Sequence, residues 1–109
     1  MNSLQVIGDA DTVLAFALGG VAGTVVHTAE EARAAVGAVV TTVRHAGGPV
    51  RQPALLLVTY GTAARIRDYL DGVSLDPNGP LILEIPGVGD PPARGRVDSV
   101  VERVLGVHP

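Results

Sequence analysis

The apolar positions of this chain change period several times, and each change marks an element. Leu4-Gln5-Val6-Ile7 is a short apolar run with β-branched residues that stops at Gly8, as a buried strand does. Over residues 10–18 the spacing turns helical, with Val13, Phe16 and Ala17 on one face and a Gly19-Gly20 stop. Residues 21–26 read as a second strand, with Gly23 inside it. Thr28-Ala29-Glu30-Glu31 then has the spacing of a capping box. The threonine oxygen accepts the amide three residues on, and Glu31 reaches back to the start of the helix. Behind it Ala32, Ala35, Val36, Val39, Val40 and Val43 recur at helical intervals until Gly47-Gly48-Pro49.

Ala54-Leu55-Leu56-Leu57-Val58 is apolar throughout, the pattern of a central strand covered on both faces. A third helix is predicted over residues 62–71, with Ala63, Ile66 and Leu70 inward. Asp76-Pro77-Asn78-Gly79-Pro80 is turn chemistry, and residues 81–85 form a fourth strand stopped by Pro86. Residues 86–96 hold three prolines and three glycines, so they read as a long exposed loop. Asp98 and Ser99 cap a last helix, Ser99 and Glu102 having capping-box spacing, and Val97, Val100, Val101, Val104 and Leu105 give its apolar stripe. Strict alternation of strand and helix predicts the α/β class. We expect a small parallel four-stranded sheet of order 2-1-3-4 with helices on both faces, receiver- or flavodoxin-like. Residues 1–109 form one domain: a globular core (1–86), a loop (87–96) and a C-terminal helix (97–106).

Composition narrows the function. A chain of 109 residues is one domain by length, and with 47% hydrophobic and 17% charged residues it is globular. The net charge is −3 and no basic stripe appears, which argues against nucleic acid or an anionic membrane as the main partner. Cysteine is absent, and with it disulfides, thiolate metal sites and cysteine nucleophiles. All eight basic residues are arginine, which leaves no lysine for a Schiff base or a P-loop. Residues 12–29 carry no formal charge and approach membrane-span length. Their glycines, three threonines and His27, and their division between two elements, argue against a membrane helix. The N-terminus lacks a basic segment before an apolar stretch, so no signal peptide is expected and a cytoplasmic protein is the default.

The chemistry-bearing residues are few. Asp9 and Asp11 stand at the tip of the first strand, where a receiver domain holds magnesium. The phosphoacceptor aspartate would stand at the end of the third strand, where Val58-Thr59 is found, and the receiver's lysine is missing. Capping explains both acids: Asp9 as acceptor for free amides and Asp11 in the first turn, each worth about 0.5–1 kcal/mol. Gly19-Gly20-Val21-Ala22-Gly23 precedes a strand, the reverse of a phosphate-cradling loop. Gly87-Val88-Gly89-Asp90 runs into Pro91-Pro92 and completes no fingerprint. His27, His45 and His108 have no metal or triad spacing. No catalytic, metal or cofactor site is therefore expected.

Several stretches, in order along nearly the whole chain, carry a resemblance. They are Val6-Ile7-Gly8-Asp9-Ala10-Asp11-Thr12-Val13, Phe16-Ala17-Leu18-Gly19-Gly20-Val21, Glu30-Glu31-Ala32, and Leu57-Val58-Thr59 with Ala64-Arg65-Ile66-Arg67. Pro80-Leu81-Ile82-Leu83-Glu84-Ile85-Pro86, Asp98-Ser99-Val100 and Leu105-Gly106-Val107 complete the set. Together they resemble the F subunit of the V/A-type (vacuolar and archaeal-type) rotary ATPases and ATP synthases, in a bacterial form. Two positions depart from that family's usual pattern: Ala17 replaces a basic residue, and Tyr60 an often acidic one.

The resemblance implies a non-catalytic rotor component without a cofactor. Its partner would be the D subunit, the coiled-coil shaft of the central stalk, and through it the A/B catalytic head and the membrane rotor. It also implies a cytoplasmic site peripheral to the membrane, a part in rotational coupling and in regulating ATP hydrolysis or synthesis with proton or sodium transport, and a C-terminal segment able to change position. The residues alone leave open a degenerate receiver-type signalling module without phosphorylation chemistry, and a small nucleotide-binding protein. The partner surface is expected at Ile85, Pro86, Val88, Arg94, Arg96, Val97, Val100, Val101 and Val104, where an exposed loop, two arginines and thinly covered apolar residues meet.

Overall fold

A computed structural model describes residues 3–45 and 54–90. Strands β1 (Ser3–Gly8) and β3 (Ala54–Thr59) form the centre of a parallel sheet, with β2 (Ala22–Val25) and β4 (Leu81–Ile85) outside them in the order β2-β1-β3-β4. This is the order the alternating pattern predicts. Val6 stands opposite Gly23 and Leu57, and Leu57 opposite Leu83, so these residues share one face. Ile7, Val58 and Glu84 share the other.

Right-handed crossovers fix which helix covers which face. The path from β1 to β2 runs opposite to the path from β2 to β3, so α1 (Ala10–Leu18) lies on one side of the sheet. Helices α2 (Ala29–His45), α3 (Tyr60–Arg65) and α4 (Arg67–Ser74) lie on the other. There Ile7, Leu56 and Val58 are buried against Ala32, Val36, Val39 and Val40 of α2, Ala63 of α3, Ile66 between α3 and α4, and Leu70 of α4. Each large side chain so buried stabilises the fold by about 1.5–3 kcal/mol. On the α1 side Val6 and Leu57 are buried under Val13, with Phe16, Val21, Leu55 and Ile85 around them.

Local chemistry sets the ends of α1. Its C-terminus closes with the Val21 amide on the Phe16 carbonyl at 2.9 Å and the Gly20 amide on that of Ala17 at 3.0 Å. Gly20 supplies the left-handed φ of +89° this closure needs. Val21 is spent on that closure, and β2 accordingly begins one residue later than the apolar pattern suggests.

One predicted element is corrected. The single helix expected over residues 62–71 is two helices, starting directly after β3 and broken at Ile66, whose backbone (φ −128°, ψ 34°) leaves the helical region. The second segment is thereby redirected so that Ile66 and Leu70 stay buried. Arg67 meanwhile makes a two-pronged pair with Glu84 of β4, each N–O distance 2.6 Å. The expected C-terminal helix, the loop beyond Asp90 and the Gly47-Gly48-Pro49 stop lie outside the described residues.

Candidate functional site at the carboxyl end of the sheet

The strand order reverses between β1 and β3, and the carboxyl ends of those strands are where such sheets form clefts. β1 ends at Gly8, where any side chain would collide with Thr59 at the end of β3. Asp9 follows in extended backbone (φ −72°, ψ 163°) and caps α1, one carboxylate oxygen taking the Thr12 amide at 3.1 Å. The other oxygen takes the Thr12 hydroxyl at 2.8 Å. Thr12 is 1% exposed, and its oxygen in turn accepts the Val88 amide at 2.9 Å. Hydrogen bonding from the Thr12 hydroxyl, ahead of the opposing effect of burial, holds the Asp9 carboxyl below its ordinary range.

The segment after β4 is thereby clasped onto the start of α1. It is itself a turn: the Asp90 amide reaches the Gly87 carbonyl at 3.0 Å, and the Asp90 carboxylate takes the Gly87 amide at 2.9 Å. Gly89 has φ +88°, the left-handed backbone this turn requires. On the other side of the switch point the Thr59 hydroxyl donates to that of Thr62 at 2.8 Å, and Arg65 donates to the His27 carbonyl at 2.8 Å. Between these groups lies an open cleft of about 360 Å³, lined among others by Asp9, His27, Thr59, Thr62, Arg65 and Val88.

The cleft's polar groups are largely engaged with one another. Among the described residues no three His, Asp or Glu side chains gather where they could hold a metal ion, and no helix is long and apolar enough to cross a membrane. The Thr59 and Thr62 hydroxyls are paired with each other, and among the described residues neither is bonded to a histidine or carboxylate that could take its proton.

The residues singled out in the sequence fall in several places. Asp11 is exposed in the first turn of α1. Thr28 accepts the Glu31 amide at 3.1 Å, while Glu31 takes the His27 amide at 3.0 Å, one residue before the amide that the box geometry anticipates. Ile85 is half-buried beside Val6 and Leu57, Pro86 is exposed and Val88 is largely so. Arg94, Arg96, Val97, Asp98, Ser99, Val100, Val101 and Val104 lie outside the described residues. The clasp through Thr12 and the Arg67–Glu84 pair were not anticipated. Thr12 does carry a local signal, standing three residues after the capping aspartate.

Residues 4–104 match the sequence model of the family described as ATP synthase (F/14-kDa) subunit. The chain belongs to that family, as the F subunit of the A/V-type rotary ATP synthases. It is also 31% identical to the F subunit of the A-type ATP synthase of Methanothermobacter thermautotrophicus over 111 aligned positions, which cover 98% of this chain and 95% of that protein. Set beside the fold, the F subunit here is a parallel α/β sheet whose open switch-point cleft is bordered by a helix cap and a loop clasp.

Proposed function

We propose that this F subunit is a non-catalytic part of the rotor, gripping the D subunit that forms the coiled-coil shaft of the central stalk. Turning with that shaft, it links the A/B head to the membrane rotor and contributes to coupling and to control of ATP turnover. The observation that carries this reading is kinship with the family along nearly the full chain, residues 4–104. The chemistry of the cleft suits it, since hydrogen bonds there tie elements together.

The grip is assigned to Ile85, Pro86 and Val88 at the end of β4, to Arg94 and Arg96, and to the stretch carrying Val97, Val100, Val101 and Val104. Arginine suits such a surface because its planar fork makes directed bonds to carboxylates and carbonyls. The test is co-expression with the shaft protein of the same complex, followed by size-exclusion chromatography. A stoichiometric complex is expected, weakened when Arg94 and Arg96 are both changed to Glu while the isolated domain stays folded. Failure to co-elute with the shaft would overturn the proposal. Unchanged affinity in the double variant would move the interface away from the arginines.

A further inference from the structure

Helix α1 turns an apolar face to water. Leu14 is 60% exposed and Leu18 83%, both on the side of the helix away from the buried Thr12 and Val13. Beside them a shallow apolar hollow of about 230 Å³ is lined by Ala15, Phe16, Gly19 and Val21. No formally charged residue stands between Asp11, in the first turn, and Glu30. The outward face of a surface helix ordinarily carries charged and polar residues, and α1 carries leucines there instead.

We propose that this face pairs the free subunit with a second copy of itself, α1 against α1 about a two-fold axis. Shape is the first reason. A two-fold contact needs a surface that complements itself, and here a projecting side chain, Leu18, stands next to a hollow roomy enough to receive one. Leu18 of each copy enters the hollow of the other, and Leu14 flanks the seam.

Charge is the second reason. The face offers a polar partner no charged group beyond Asp11 at its edge, and two copies meet there without like charges opposed across the seam. Area then sets the strength. The nine residues of α1 make a helix about 14 Å long and about 10 Å wide, well short of the roughly 800 Å² that each partner gives to a stable interface. The pair is therefore weak and reversible, with a Kd on the order of 100 μM.

This face is also apart from the proposed grip on the shaft. Helix α1 leaves the carboxyl end of β1 after Asp9 and runs back across the sheet, so Leu18 stands toward the amino ends of the strands. Ile85, Pro86 and Val88 stand at the carboxyl end of β4. Self-pairing is thus independent of whether the shaft is the partner.

Sedimentation equilibrium of the isolated full-length protein from about 10 μM to about 1 mM tests the pairing. The weight-average mass should rise toward twice that of the monomer. Leu18→Glu should stay monomeric throughout, with its melting temperature unchanged because the side chain is exposed. Leu75, equally exposed at 83%, lies at the end of α4 on the other side of the sheet, and Leu75→Glu should dimerise as the parent does. The chain has no cysteine, so single cysteines report the seam directly. A short bis-maleimide should link Leu18→Cys into a covalent dimer at least about tenfold faster than Leu75→Cys, because pairing raises the local concentration of the second thiol. A parent that is still monomeric at about 1 mM, a Leu18→Glu variant that still dimerises, or equal capture of the two cysteines overturns the proposal. A monomeric parent whose co-elution with the shaft protein is weakened by Leu18→Glu would give the face to the shaft and refute self-pairing.

Discussion

Replacing Asp9 removes two acceptors at once, because one carboxylate oxygen takes the Thr12 amide and the other the Thr12 hydroxyl. Asp9→Ala should therefore lower stability by about 1–2 kcal/mol in urea denaturation, the upper range for a lost N-cap. Asparagine keeps the amide bond but alters the exchange with the Thr12 hydroxyl, so Asp9→Asn should cost less. The pH dependence follows from the lowered Asp9 pKa. A carboxyl whose folded-state value lies below its unfolded one adds stability that is complete above the ordinary aspartate value of about 4. That stability is lost as pH falls through the lower folded value. Below about pH 4 the curves of the parent and Asp9→Asn should converge, and curves that stay parallel would contradict the linkage. Thr12→Val preserves shape but strands the Val88 amide and one Asp9 oxygen, an expected loss of about 1–3 kcal/mol. Faster exchange of the Val88 amide would report the opened clasp.

At the scale of elements, two glycines make opposite predictions. A Cβ at Gly23 would lie 2.7 Å from Val6 Cγ1 and 2.8 Å from Val13 Cγ1, so α1 sits close on β2 only because that position is bare. Gly23→Ala should cost about 1–3 kcal/mol by overpacking. Gly72, inside α4, has nothing within 4 Å of the added carbon, and Gly72→Ala should stabilise by about 0.4–1 kcal/mol through helix propensity and a less free unfolded chain. Thermal denaturation of the two variants should move in opposite directions, and a shared sign would count against the described packing. The sheet order and the two-faced burial of β3 were legible because Leu55, Leu57 and Leu56, Val58 serve opposite faces of a run with no polar interruption. The break at Ile66 was not, because Ala63, Ile66 and Leu70 keep helical spacing whether or not the helix is continuous. The partner that draws Arg67 aside is Glu84, 17 residues away, and local periodicity carries no trace of it. The same holds for Thr12 and Val88, joined across 76 residues. The capping role of Asp9 was readable because a cap is satisfied within three residues.

On the scale of the whole molecule, three helices among the described residues shield one side of the sheet and one shields part of the other, so binding energy on the thin side acts on the stability of the entire domain. Residues 56–58 of the central strand are hydrogen-bonded between two neighbours and buried on at least one face each, so their amides should exchange only when the domain opens globally. A partner that binds only the folded state slows that opening by about 100-fold at a concentration 100 times its Kd. Saturating shaft protein should therefore slow exchange of residues 56–58 to that extent in the parent protein, and far less when Arg94 and Arg96 are changed to Glu. Magnesium with a small phosphoryl donor should leave the same amides unaffected, since Asp9 is committed to Thr12 and Thr59 to Thr62. Protection by magnesium and phosphoryl donor but not by the shaft would favour a receiver-type signalling role. Protection by the shaft that survives the double arginine change would keep the rotor role and place the grip elsewhere on the domain.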